Sequence, residues 1–133
     1  MRNLFFSLAI LFTLTLSAQE AYKFTTVTDL ETTPVISQGV TGTCWSFSST
    51  SFLESEIMRL TGKKIDLSEM YQVRNTYPLK AENFIMRQGK AQFSEGGLAH
   101  DVMNSVAKNG LVPNEAFSGL FSGETTYNHA EMV

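Results

Sequence analysis

Glycine and proline punctuation sets the architecture of this chain. Gly39 and Gly42, Gly62, Pro78, Gly89, the pair Gly96-Gly97, Gly110 and Pro113 leave helix-length stretches between them. The first helix is expected to start near Thr43 or Cys44, capped by Thr41 or Thr43, with Phe47, Leu53, Ile57 and Leu60 near one stripe and Gly62 as its stop. A second is expected after Ser68, whose hydroxyl suits the cap, with Met70, Val73 and Tyr77 on its apolar face. Pro78 lacks an N–H and crowds the preceding turn, so it should bend or end that helix, with a further helical piece from Leu79 to about Gln88. A third helix is predicted from Leu98 to Asn109, burying Ala99, Val102, Met103 and Val106, with Gly110 as its end. Residues 118–126 read as loop, and a new segment opens near Asn128. At 133 residues the chain suggests one domain.

The N-terminus reads differently from the rest. Arg2 precedes an apolar run from Leu4 to Leu16, followed by Ser17 and the small residue Ala18. Charge, apolar core and small residue in that order form a secretory signal pattern. The run is shorter than the 18 or more residues expected of a membrane-spanning helix. Residues 1–18 are therefore expected to be a cleaved signal peptide, with the mature protein exported to a periplasmic or extracellular location. Residues 19–37 are Thr-rich, carry β-branched Thr25 to Thr28 and are interrupted by Pro34, which reads as an extended lead-in.

Charge excludes some partners. Ten basic against 13 acidic residues give a net charge of −3, and Lys63-Lys64 is the only adjacent basic pair. It reads as the solvated end of a helix, and nothing suggests nucleic-acid binding. No metal-ligand spacing occurs, so no metal or cofactor is implied. No membrane partner is expected once the signal is removed. The single cysteine, Cys44, can form no intramolecular disulfide. In an exported protein such a cysteine is either a buried packing residue or a thiol kept free for chemistry.

Chemistry is open to Cys44. A thiol attacks as the thiolate, and unpaired N–H groups at a helix start favour a negative charge. The expected helix places Cys44 in that first turn, after the flexible Thr41-Gly42-Thr43 loop, with Trp45 walling one side. On the residues alone, a nucleophile and a buried structural cysteine both stand.

The run from Gln38 to Ser48, Gln-Gly-Val-Thr-Gly-Thr-Cys-Trp-Ser-Phe-Ser, resembles the active-site segment of papain-like cysteine peptidases. Leu67-Ser68-Glu69, Ser94-Glu95-Gly96-Gly97 and Gly110-Leu111-Val112-Pro113 resemble further segments of that family, in the same order. The resemblance covers about residues 34–117. It implies an α+β papain-like fold, of which residues 38–133 form the mainly helical N-terminal half without the strand-rich half. It implies Cys44 as nucleophile and Gln38 as an oxyanion donor beside the Cys44 backbone N–H. It also implies that Gly96 and Gly97, with Trp45, cradle a peptide substrate through the backbone.

Departures from the family pattern narrow the resemblance. Many members carry a disulfide between the positions held here by Thr41 and Ser94. The stretch from Ala18 to Gln38 is also too short for a long inhibitory pro-segment. With the insertion from Tyr71 to Phe93, these features favour the aminopeptidase C and bleomycin hydrolase branch, whose members are often cytoplasmic. A full-length parent of that kind allows a homo-oligomer.

The catalytic histidine and its orienting asparagine lie about 130–150 residues beyond the cysteine in this family, a distance not reached by Val133. The resemblance therefore implies an incomplete fragment, inactive as given. The two histidines present, His100 on the third helix and His129 near the end, are read as packing or surface residues. An exposed apolar face is expected where the strand-rich domain would pack, and with it poor solubility or partial disorder of the isolated chain. The alternative to a peptidase is an exported peptide-binding module that keeps the half-site without catalysis.

Overall fold

Three helices form the body of the computed structural model, which describes residues 22–132: α1 (Cys44–Thr61), α2 (Glu69–Met86) and α3 (Ala99–Asn109). Each packs on the other two. A single 3-10 turn follows at Ala130–Met132, and no strand occurs among the described residues. The proposed signal peptide at residues 1–18 lies outside them.

Local chemistry explains the helix ends. Ser68 caps α2 as expected, its hydroxyl accepting from the Tyr71 N–H at 3.0 Å. Leu98 precedes α3, and Asp101 reaches back to accept from the Leu98 N–H at 2.8 Å. Thr43 precedes α1, but its hydroxyl does not cap it. The carbonyl of Thr43 instead accepts from Ser46 and Phe47, while its hydroxyl meets that of Thr41 at 2.5 Å. Gly62 ends α1 in the left-handed conformation and donates to Met58.

Trp45, Phe47, Met70, Val73 and Val102 form the buried cluster, with Leu53, Tyr77, Val106, Phe117 and Tyr127 packed around it. This corrects three expectations. Leu60 is 69% exposed and Met103 is 51% exposed, and Ala99 also faces out. Burial on α1 runs instead through Trp45, Ser46, Phe47, Thr50, Glu54 and Met58. Three of those six, Ser46, Thr50 and Glu54, are polar, so a stripe drawn from apolar residues alone misplaces the face. On α3 the buried pair is Val102 and Ser105.

Pro78 does not end α2, which continues through it to Met86. The carbonyl deprived of a donor belongs to Arg74, four residues earlier. Both Arg74 and Pro78 are exposed, so water can satisfy that carbonyl.

The chain after α3 returns to the start of α2. Ser68 donates to the Val112 carbonyl at 2.8 Å, Leu67 bridges Pro113, and the Gln72 amide donates to the Gly110 carbonyl at 3.0 Å. The last segment then reaches the loop before α1. Val40 donates to Tyr127 at 2.9 Å and His129 donates to Val40 at 3.0 Å, making a parallel bridge between Val40 and Asn128. The lead-in is extended, and Tyr22, Phe24, Val27 and Val35 are each at least 80% exposed. No helix among the described residues is long and apolar enough to cross a membrane.

Candidate active site

Cys44 is the first residue of α1, and its thiol is free and exposed. That removes the buried-cysteine reading. The first N–H groups of a helix have no acceptor within it, so this end of α1 presents donors and the positive end of its dipole.

The loop before Cys44 is tied to itself. One N–H of the Gln38 side-chain amide donates to the Thr41 carbonyl at 2.6 Å, and the Thr41 hydroxyl donates to the Gln38 carbonyl at 2.8 Å. Gln38 is thereby fixed on the Cys44 loop, with the second amide hydrogen left over from that bond. Gly39 makes the turn at φ +66°, and a Cβ there would strike the Tyr127 carbonyl. The last segment therefore braces the loop from outside.

Segment 94–97 closes over the start of α1. The Glu95 carbonyl accepts from the Trp45 indole at 3.0 Å and from the Tyr77 hydroxyl at 3.1 Å. The Lys80 ammonium donates to the carbonyls of Ser94 and Gly96. Gly97 lies flat on the Trp45 ring, where an added Cβ would fall 2.6 Å from Cδ2. At Gly42 an added Cβ would meet Glu95 at 2.8 Å. Trp45 is 5% exposed, so it is the floor beneath the glycine segment rather than an open wall. Burial, then the nearby Glu95 charge, pushes the Tyr77 hydroxyl up to about 12, so it remains a neutral donor.

The two histidines differ. The His100 side chain is exposed, 3.4 Å from Asp101. His129 is not the surface residue expected. Its side chain is 11% exposed, with Nδ1 3.3 Å from Glu95 and the ring edge-on to Tyr77. The pairing of residues 127–129 with Val40 carries it there, a long-range contact with no local sequence signal.

A profile of papain family cysteine proteases matches residues 21–131. This chain belongs to that family. Its helices are the N-terminal, helical half of the papain fold. Among the curated relatives, a senescence-specific cysteine protease of rice (Oryza sativa subsp. indica) is 34% identical over 84 residues, covering 63% of this chain and 22% of the relative. Human cathepsin L2 is 36% identical over 83 residues, covering 62% and 22%. A cathepsin L-like peptidase of Aedes aegypti reaches 57% over 37 residues, covering 28% and 11%. The chain thus spans about a fifth of the length of the rice and human relatives.

Within this papain-family half, the sequence pointed to Cys44, Gln38, Trp45, Gly96 and Gly97, and the fold gathers them around the start of α1. It did not reveal the supporting residues. Tyr77 and Lys80 on α2 hold segment 94–97, and Tyr127 to His129 hold the Gln38 loop. Glu54 is a further one. Buried at 4%, it accepts from the Leu67 N–H at 2.7 Å and from the Thr33 hydroxyl at 2.6 Å, so it pins α1 to both the α2 approach and the lead-in. A glutamate in the middle of a helix gives no hint of this in sequence.

Proposed function

We propose that this chain supplies the nucleophile, oxyanion donors and substrate cradle of an exported cysteine peptidase with aminopeptidase-like preference. The observation that carries the reading is the exposed Cys44 thiol at the start of α1, between the Gln38 loop and the braced glycine segment. The Cys44 sulfur would attack an amide carbonyl of a peptide. The oxyanion formed would accept from the Cys44 N–H and the Gln38 amide. Collapse of the tetrahedral species releases the amine with a proton and leaves a thioester on Cys44, which water hydrolyses to acid and free thiol. A peptide laid along Gly96 and Gly97 meets backbone without side chains. The proton is carried by a histidine oriented by an asparagine, supplied by the complementary half of the domain. The absence of cysteines at Thr41 and Ser94 supports the aminopeptidase C-like branch, and the apolar run after Arg2 supports export.

The test is labelling of the full-length gene product with a thiol-directed peptide electrophile. Labelling that persists unchanged in Cys44→Ala removes Cys44 from the mechanism. Gln38→Ala is expected to lower kcat by about 10²–10³, in line with other oxyanion donors.

A further inference from the structure

Two arms flank Cys44. The Gln38 loop carries the oxyanion donor, and segment 94–97 carries the cradle. Catalysis needs both at once, because a peptide fixed on the cradle must present its carbonyl to Gln38 within about 1 Å of the productive position. Each arm is braced separately. Gln38 and Thr41 tie the loop to itself, while Trp45, Tyr77 and Lys80 hold the segment. Among the described residues no hydrogen bond runs from the loop to the segment. Their direct contact is the Glu95 side chain lying on Gly42.

His129 touches both arms. Its backbone N–H donates to the Val40 carbonyl at 3.0 Å, inside the loop. Its Nδ1 lies 3.3 Å from Glu95 Oε1, within ion-pair reach of the segment. The two atoms are not aligned for a hydrogen bond, and Nδ1 is buried with no other partner among the described residues. A neutral imidazole gains little from this arrangement, and a buried nitrogen without a hydrogen bond is costly. An imidazolium gains directly, because attraction between charges needs proximity rather than alignment. The side chains of His129 and Glu95 are 11% and 22% exposed, so salt screens the pair less than it screens a surface pair. The other charged and titratable groups around the ring are engaged elsewhere or stand further off. Tyr77 on α2 meets the ring edge-on and stays neutral, and Lys80 holds the Ser94 and Gly96 carbonyls. Arg74, Glu124 and Glu131 border the cavity of about 650 Å³ that His129 also lines, with Arg74 lying over Phe117.

We infer that His129 is a positioning residue of the peptidase site: as an imidazolium paired with Glu95, it locks the Gln38 loop to the substrate cradle. The inference rests on the reading of this chain as a cysteine peptidase. His129 transfers no proton to substrate in this role. It acts through Val40 on one arm and through Glu95 on the other, and so fixes the distance between the oxyanion donor and the bound peptide. Loss of its charge leaves the backbone bond to Val40 and removes the tie to Glu95. The cradle then still binds a peptide, but the carbonyl and Gln38 move independently. The cost falls on kcat rather than on KM.

The experiment is steady-state hydrolysis of a peptide amide by the full-length gene product, per Cys44 titrated with a thiol-directed peptide electrophile. His129→Gln keeps a polar side chain and removes the charge. At about pH 5.5 it should lower kcat about fivefold, with KM changed by less than about twofold. By about pH 9, where an imidazole is neutral, wild type and variant should have the same kcat. Glu95→Gln should give the same loss, and the double variant should be no worse than either single one. A ratio of wild type to variant that is constant with pH overturns the lock, since packing alone would produce it. So do additive losses in the double variant, an unchanged kcat at about pH 5.5, or a rise in KM alone. A second measurement needs neither turnover nor a His129 variant. In Cys44→Ala, hydrogen-exchange protection of the Val40 amide should be greater at about pH 5.5 than at about pH 9, after correction for intrinsic exchange, and Glu95→Gln should remove that difference. Protection that follows this pattern while the unmodified enzyme hydrolyses nothing keeps the lock and removes the peptidase reading. Hydrolysis that depends on Cys44, with protection and kcat ratio both flat in pH, does the reverse.

Discussion

Gly96 and Gly97 are adjacent, yet the structure gives them different tasks, and alanine at each separates those tasks. Neither backbone lies in the left-handed region, so alanine is conformationally acceptable at both. At Gly96 the nearest atom to an added Cβ is Ser94 Oγ at 4.0 Å, an ordinary contact. At Gly97 the Cβ would lie 2.6, 2.7 and 3.1 Å from Cδ2, Cε2 and Cε3 of Trp45. Carbon atoms settle at about 3.5–4.0 Å, so ring and glycine must part by about 1 Å. The ring is buried and has little room to retreat. Overpacking of this kind costs about 1–3 kcal/mol. A 1 Å shift also breaks the 3.0 Å bond from the Trp45 indole to Glu95, a further loss of about 1 kcal/mol. Gly97→Ala should therefore cost about 2–4 kcal/mol and Gly96→Ala under about 0.5 kcal/mol. Urea unfolding measures the stability difference. Alkylation of Cys44 adds the functional one: Gly97→Ala should slow a peptide electrophile far more than iodoacetamide, which needs no cradle. Equal behaviour of the two alanine variants in both assays would refute the packing argument.

Glu69→Gln tests burial of charge in the 133-residue chain. The folded value of about 7 exceeds the ordinary 4.5, so the folded state holds the proton over that window and stability falls as pH rises through it. Glutamine should add nothing at pH 4.5 and about 1–3 kcal/mol at pH 8, the upper figure reduced by water reaching the carboxyl. A gain equal at both pH values, by urea midpoint, would show that the charge is not the cause. Gly39→Ala places a Cβ against the Tyr127 carbonyl at a left-handed position, costing about 1–2 kcal/mol for the backbone alone. It should release the Val40 pairing, read as lost hydrogen-exchange protection at the amides of Val40 and His129. Retained protection at both amides would mean that the turn tolerates a side chain.

The parts of this fold legible in sequence are those governed by chemistry within one helical turn. The Ser68 cap, the Gly62 stop and the placement of Cys44 at a helix start all depend on neighbours a few residues away. Pro78 misled because its cost depends on whether the orphaned carbonyl faces water, which is a tertiary fact. Leu60 and Met103 misled because buried faces of α1 and α3 are set by Ser46, Thr50, Glu54 and Ser105 as much as by apolar residues. Of the site, the motif residues were visible and their supports were not. Lys80 and Tyr77 meet segment 94–97 across 14 to 18 residues, and His129 meets Val40 across the whole described body. Such pairings obey no sequence period.

The substitutions at Thr41 and Ser94 have a structural counterpart. Many papain-family members join these two positions through a disulfide, which clamps the loop before the nucleophile to the glycine segment. A disulfide is typically worth about 2–4 kcal/mol. Here the same two segments are joined without one. The Thr41 hydroxyl, in the place of one sulfur, bonds to Gln38 and Thr43 and stiffens its own loop. The Ser94 carbonyl, beside the place of the other, is held by Lys80. Between them Glu95 touches Gly42 and accepts from both Trp45 and Tyr77. Two neutral hydrogen bonds at about 0.5–1.5 kcal/mol each come to about 1–3 kcal/mol. One of them ties the glycine segment to α1 through Trp45 and the other ties it to α2 through Tyr77, so this clamp differs in kind from a disulfide. It is insensitive to reductant, and it depends on Trp45 and Tyr77 remaining buried. Within these 133 residues Cys44 is the single cysteine, so the clamp leaves it no neighbouring thiol of this chain to exchange with.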